Sequence, residues 1–154
     1  MKPEAGCAVC ASLSNSPAGE PIYENDLWLV SPASAPVAVP GWMMLISKRH
    51  VPGPAHFDDR EAASFGPTLR HLELVLETST GALRIYTAAM GESWPHFHAH
   101  MVPRYAVMPK DAKAWGVFDL QRAAAAGEIV VDEEKVAAAN EAYRRALAKR
   151  PPPL

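Results

Sequence analysis

Pro95-His96-Phe97-His98-Ala99-His100-Met101-Val102-Pro103-Arg104 places three histidines at alternate positions. Side chains two apart share one face of a β-strand. The run therefore predicts a strand with His96, His98 and His100 in a row on one face and Phe97, Ala99 and Met101 in the core on the other. The flanking prolines fit, because proline is tolerated where a strand begins or at an edge. Imidazole titrates near neutrality, so such a row can attack, exchange protons or hold a metal. A purification tag does not fit, since the histidines alternate with apolar residues well inside the chain.

Working outward, Leu83 to Ala88 is a strand candidate, and Met90-Gly91-Glu92-Ser93 turns from it into the histidine strand. That pair is expected as an antiparallel hairpin at the centre of the sheet. Upstream, Ile22 to Val30 reads as two short strands around Glu24-Asn25-Asp26, and Trp42 to Ile46 as a buried strand. Ser31 to Pro40, with three prolines, is expected to be a loop. A helix should begin near Asp58, an N-cap with Glu61 in the capping-box position. Gly66-Pro67 is expected to interrupt or kink it, and Gly81 to end it. Asp119 to Ala126 is a short helix candidate capped by Gly127. Asp132 to Ala148 is a stronger one, with acids at its start and bases at its end. Strands, helix, strands, helix favours an α+β domain with an antiparallel sheet.

The 154 residues are 49% apolar and 21% charged, and 15 basic against 17 acidic residues give a net charge of −2. This is one globular domain by length, read as a core over 7–105 with an extension, including a helix, over 106–154. The balance suggests no nucleic-acid or membrane surface, and no apolar run is long enough for a transmembrane helix. The start lacks the apolar stretch of a signal peptide, so a cytoplasmic protein is expected. The two cysteines form Cys7-Ala8-Val9-Cys10. That spacing reads as a metal half-site, a redox pair or two ordinary thiols.

His96-Phe97-His98-Ala99-His100-Met101-Val102 resembles the signature of the histidine triad superfamily, His-φ-His-φ-His-φ-φ with φ apolar. Pro103-Arg104, Cys7-x-x-Cys10, Ile22-Tyr23-Glu24, the run Gly41 to His50 and Gly91-Glu92-Ser93 stand in similar order, so the resemblance covers about residues 7 to 105. It implies an antiparallel sheet of about five strands with one long helix and a C-terminal helix, in a homodimer. It also implies hydrolysis or transfer of nucleoside monophosphates through a nucleotidyl-histidine. Substrates of this kind are dinucleoside polyphosphates and nucleoside phosphoramidates. By position His98 looks like the nucleophile, His100 a contact for phosphoryl oxygens, and Ser93 a neighbour of the leaving group. Ile22, Leu29 and Trp42 are candidates for the base pocket, and Glu92 and Arg104 for contacts to substrate.

Some members of the superfamily hold structural zinc with a set similar to Cys7, Cys10, His50 and His96. The alternative is that His96 serves the active site and His50 caps a strand end. No catalytic metal is required by this chemistry, because neighbouring imidazoles and backbone N–H groups can stabilise a phosphoryl group. The chain departs from the pattern at Glu92, where many triad proteins have glutamine. It has His100 where uridylyl transferases of the galactose-1-phosphate type have glutamine, which favours hydrolysis. The rival from another class is a nucleotide-binding regulatory or scaffold protein with little turnover.

Overall fold

A computed structural model describes residues 4–15 and 21–153. The elements are α1 (Ala8–Asn15), β1 (Tyr23–Glu24), β2 (Trp28–Pro32), β3 (Met43–Ser47), α2 (Asp59–Thr80), β4 (Arg84–Ala88), β5 (His98–Arg104), α3 (Gly116–Ala125) and α4 (Glu133–Lys149). The strands form one antiparallel sheet in the order β1-β2-β3-β5-β4, giving the expected α+β architecture.

Register decides what each face carries, because cross-strand partners lie on the same side of a sheet. Val30, Leu45 and Ala99 are one such row, and Met43 pairs with Met101. With Trp28 they pack on Leu72, Val75 and Leu76 of α2 and on Tyr143 and Leu147 of α4. The opposite face carries the rows Leu29–Ile46–His98 and Ser31–Met44–His100–Ala88. There Trp42, Val102 and Val117 build a second, smaller core beside His100.

The entry to α2 is built as its sequence specifies. The Asp58 carboxylate accepts from the Glu61 N–H at 2.9 Å, and the Glu61 carboxylate accepts from the Asp58 N–H at 2.9 Å. Gly81 ends the helix in the left-handed conformation, at φ 69°. Between them the helix runs unbroken through Gly66-Pro67, contrary to expectation. Both residues are exposed, so the ring points to solvent, one backbone bond is lost, and Leu72, Val75 and Leu76 hold the helix on the sheet.

Further differences have local causes. The β4–β5 hairpin lies at one side of the sheet, with β4 as edge strand, because β5 pairs on its other flank with β3 and not with a further hairpin. β2 extends through Ser31 and Pro32, which pair with Met44 and Met43. Pro103 lies inside β5, where the β3 ladder has already ended at Met101, so it has a strand on one flank only, as at an edge. The run 42–46 is not buried on both sides: Met44 and Ile46 are half-buried on the imidazole face. α3 starts at Gly116, earlier than expected, and α1 was not foreseen. Gly41, at φ 79°, turns the chain into Trp42 where a Cβ would meet Pro103 and Thr80 at 3.2 Å. No helix among the described residues is long and apolar enough to cross a membrane.

Candidate active site and metal centre

His98 opens β5 and is half-buried. Its Nδ1 lies 2.7 Å from the backbone oxygen of His96. A carbonyl can only accept, so Nδ1 carries the proton and Nε2 is left with its lone pair. His98 lines a cleft of about 570 Å³ together with Met44 and Ile46 from β3, Ser31 from β2, Trp94, and Ala8, Val9 and Ser12 from α1. The loop Ala33 to Val37 and the α4 residues Val136 and Asn140 complete the wall. A volume of this size is typical of small-molecule sites.

His100 lies beside His98, with ring centroids 5.7 Å apart. The Trp42 indole N–H donates to His100 Nδ1 at 3.1 Å. Indole nitrogen is a donor only, so His100 must be the Nε2–H tautomer. Its ring is held edge-on between Trp42 and Phe118 at 5.7 and 5.3 Å. Burial, reinforced by the neighbouring His98, lowers its pKa to about 4. At neutral pH it is thus an uncharged donor of fixed orientation.

His96 does not join the row. It precedes β5, fully buried, with its N–H bonded to the Trp94 oxygen at 2.7 Å. Its ring turns away to Nε2–H···O=C Ser47 at 2.8 Å. Nδ1 then faces two thiols, Cys10 Sγ at 3.3 Å and Cys7 Sγ at 3.6 Å. The face expected to show three imidazoles therefore shows two, because a buried ring needs partners for both nitrogens and His96 finds them in the Ser47 carbonyl and the two thiols.

Cys10 Sγ also lies 3.5 Å from His50 Nδ1, and one ligand atom from each of Cys7, Cys10, His50 and His96 lies within 4.8 Å of the other three. Zinc–sulfur bonds of about 2.3 Å and zinc–nitrogen bonds of about 2.0–2.1 Å require tetrahedron edges of about 3.3–3.8 Å. The three contacts match that size. Outer contacts match as well: the Ser47 carbonyl fixes the His96 tautomer, and the Cys10 N–H points at Cys7 Sγ at 3.4 Å. Burial lowers the pKa of His96 and raises that of the Cys10 thiol. The four residues fit a tetrahedral zinc ion.

Arg49 anchors the segment that carries His50. Its Nε and terminal nitrogen donate to the buried Glu61 carboxylate at 3.1 and 2.5 Å, and the same terminal nitrogen to the His56 carbonyl at 2.9 Å.

The other sequence candidates are scattered. Leu29 lies on the imidazole face, paired with Ile46. Trp42 is 1% exposed and holds His100, so it backs the histidine and does not line the cleft. Ile22 is buried in the main core on the opposite side. Ser93 and Glu92 are exposed on the turn before His96. Arg104 donates to the carbonyls of Tyr105, Met108 and Pro109, clamping the loop after β5 outside the cleft. Sequence reasoning missed Ser31, Met44, Ile46, Trp94 and the α1 and α4 walls. For Ser31, Met44 and Ile46 the signal existed, in their parity with His98 and His100 once the strands are paired.

No protein-family model and no curated protein matches the chain. Solved structures do. A HIT-like protein involved in cell-cycle regulation from Bartonella henselae superposes with TM-score 0.67 at 16% identity, over 94% of this chain and 98% of that one. A hypothetical histidine triad nucleotide-binding protein from Sulfolobus tokodaii gives 0.67 at 16%, covering 93% of each. A zinc-bound histidine triad family protein from Mycobacterium smegmatis gives 0.64 at 19%, covering 94% of each. The fold of this chain is the histidine triad fold.

Proposed function

We propose that the protein is a nucleotide hydrolase or nucleotidyl transferase that cleaves at an α-phosphate through a covalent nucleotidyl-His98. The observation that carries this reading is the 2.7 Å bond from His98 Nδ1 to the His96 carbonyl, which leaves Nε2 as a lone-pair nucleophile on a cleft of substrate size.

In the first step a bond forms from His98 Nε2 to phosphorus as the bond to the leaving group breaks. The leaving group takes its electron pair and a proton, with Ser93 the candidate donor. In the second step water, or an acceptor alcohol or amine, attacks the same phosphorus, gives its proton back to Ser93, and the phosphorus–nitrogen bond breaks to release His98 as neutral imidazole. His100 Nε2–H donates to a phosphoryl oxygen in both steps. Because it is neutral and pre-oriented by Trp42, it needs no reorganisation as charge develops.

Cys7, Cys10, His50 and His96 would hold a structural zinc ion. Four protein ligands leave no coordination position for water, so its contribution is to cross-link α1 and the end of β3 to the segment carrying His98. The same reading includes a homodimer, for which the open flank of edge strand β4 is the candidate surface; light scattering on the purified protein would show a monomer if that part is wrong.

The test is release of nucleoside monophosphate from a diadenosine polyphosphate, an adenosine phosphoramidate and a nucleotide sugar, with wild type and His98→Ala side by side. Turnover that vanishes in His98→Ala supports the proposal. Absence of turnover on all three substrates, with nucleotide still raising Tm, replaces it with a nucleotide-binding protein.

A further inference from the structure

Trp94 is a large apolar side chain left 44% exposed. It stands on the wall of the cleft that holds His98. Its ring pairs with no other aromatic ring among the described residues, unlike Trp28, Trp42 and Trp115. Its backbone is nevertheless fixed. Pro95 follows and confines it to extended conformations, Gly91 turns the chain before it at φ 66°, and its carbonyl accepts the His96 N–H at 2.7 Å. An indole with no ring partner among the described residues, carried on this backbone beside a nucleophile, is a surface on which a planar ring can stack.

The rest of the lining is uncharged among the described residues. Among the described residues its polar side chains are Ser12, Ser31, Ser34, Asn140 and His98, and it contains no lysine or arginine. Cations that could have served are committed elsewhere: Lys48 pairs with Glu24 at 3.4 Å, and Arg104 with three backbone carbonyls. Neutral donors suffice for one phosphoryl group. A polyphosphate bridge calls for charge-assisted contacts, and each one missing costs about tenfold or more in affinity.

We infer that Trp94 is a specificity-determining residue of this cleft, and that the cleft takes conjugates with one phosphoryl group between the nucleoside and its leaving group and with a planar ring stacked on Trp94. The inference rests on the nucleotidyl-transfer reading above and narrows its substrate class. The stacked ring is either the nucleobase or an aromatic leaving group.

Steady-state kinetics on four compounds separates these. They are an adenosine arylphosphoramidate, the matching alkylphosphoramidate, the arylphosphoramidate of ribose 5-phosphate without a base, and diadenosine tetraphosphate, each with wild type, Trp94→Ala and Trp94→Phe. The inference expects Trp94→Ala to raise KM about tenfold with a smaller change in kcat, and Trp94→Phe to restore most of the loss. If the leaving group stacks, the loss follows the aryl group and the aryl–alkyl gap narrows in Trp94→Ala; if the base stacks, it follows the adenine. The tetraphosphate should show at least about a tenfold lower kcat/KM than the phosphoramidates.

Equal KM in wild type and Trp94→Ala on every compound overturns the stacking assignment. Equal turnover of the tetraphosphate overturns the single-phosphoryl assignment. Should no compound turn over, the functional reading fails on its own. The stacking claim is then read from indole fluorescence: quenching by adenosine monophosphate that disappears in Trp94→Phe supports it, and quenching identical in the two proteins refutes it.

Discussion

Stripping metal from Cys7, Cys10, His50 and His96 should melt α1 while the sheet stays folded. α1 has eight residues, too few for a helix that persists alone in water. Among its described side chains only Cys10 is buried, while Ala8, Ala11 and Ser12 are exposed, so packing gives it little support. Fixing eight backbone residues costs roughly 8–16 kcal/mol, at about 1–2 each. A structural zinc site of this ligand type supplies about 10–16 kcal/mol. The two figures are comparable, so metal binding and α1 ordering should be nearly one event. The assay is amide hydrogen exchange on zinc-loaded protein and on protein treated with a chelator. Protection should collapse at Ala11 and its neighbours in α1 and persist at Leu45, Ala99 and Met101, whose strands lie inside the sheet. Nucleotide affinity should fall with it, because Ala8, Val9 and Ser12 are part of the cleft wall. Unchanged exchange in α1 after verified metal removal would refute the reasoning.

The remaining predictions concern the supports of the two histidines. Trp42→Phe keeps the apolar volume and leaves His100 Nδ1 without its donor, which should cost about 1–3 kcal/mol in urea denaturation and lower kcat. Glu61→Gln loses the charge facing Arg49 while keeping the side chain's shape. Arg49 is 42% exposed, so the loss should be about 2 kcal/mol, below the full penalty of a sealed pair. His100 binds a proton at about 4 in the folded protein against 6.5 for a free imidazole. The unfolded chain therefore binds more protons between those values, and stability should decline as pH falls from 6.5 to 4, by up to about 3 kcal/mol. His100→Gln, which cannot titrate, should flatten that part of a Tm-versus-pH curve.

Legibility in the sequence followed the range of the interaction. Asp58 and Glu61 cap α2 through bonds three residues apart, and Gly81 needs only its own φ, so both ends of the helix could be read. The alternation of His98 and His100 with Ala99 and Met101 also survives, because strand period is local. His96 follows the same alternation and still leaves the strand. Its ring is claimed by the Ser47 carbonyl and by thiols about ninety positions away in sequence, and no local propensity encodes that. α1 was invisible for the same reason, being ordered by what its cysteines meet. The roles of Ile22 and Trp42 could not be separated by composition. β1 and β2 turn one of them to the core side, and the other reaches His100 through a single N–H. Val136 and Asn140 reach the cleft from the C-terminal helix, a placement set by how α4 packs on α2.

The central claim is a covalent bond between His98 and a nucleotidyl group. Intact-mass spectrometry of enzyme quenched in acid-free denaturant during turnover of an adenosine phosphoramidate tests it most directly. The account predicts one added nucleotidyl group, mapped by fragmentation to His98 and absent from His98→Ala together with turnover. Full turnover by His98→Ala, or an adduct mapped to His100, would contradict it.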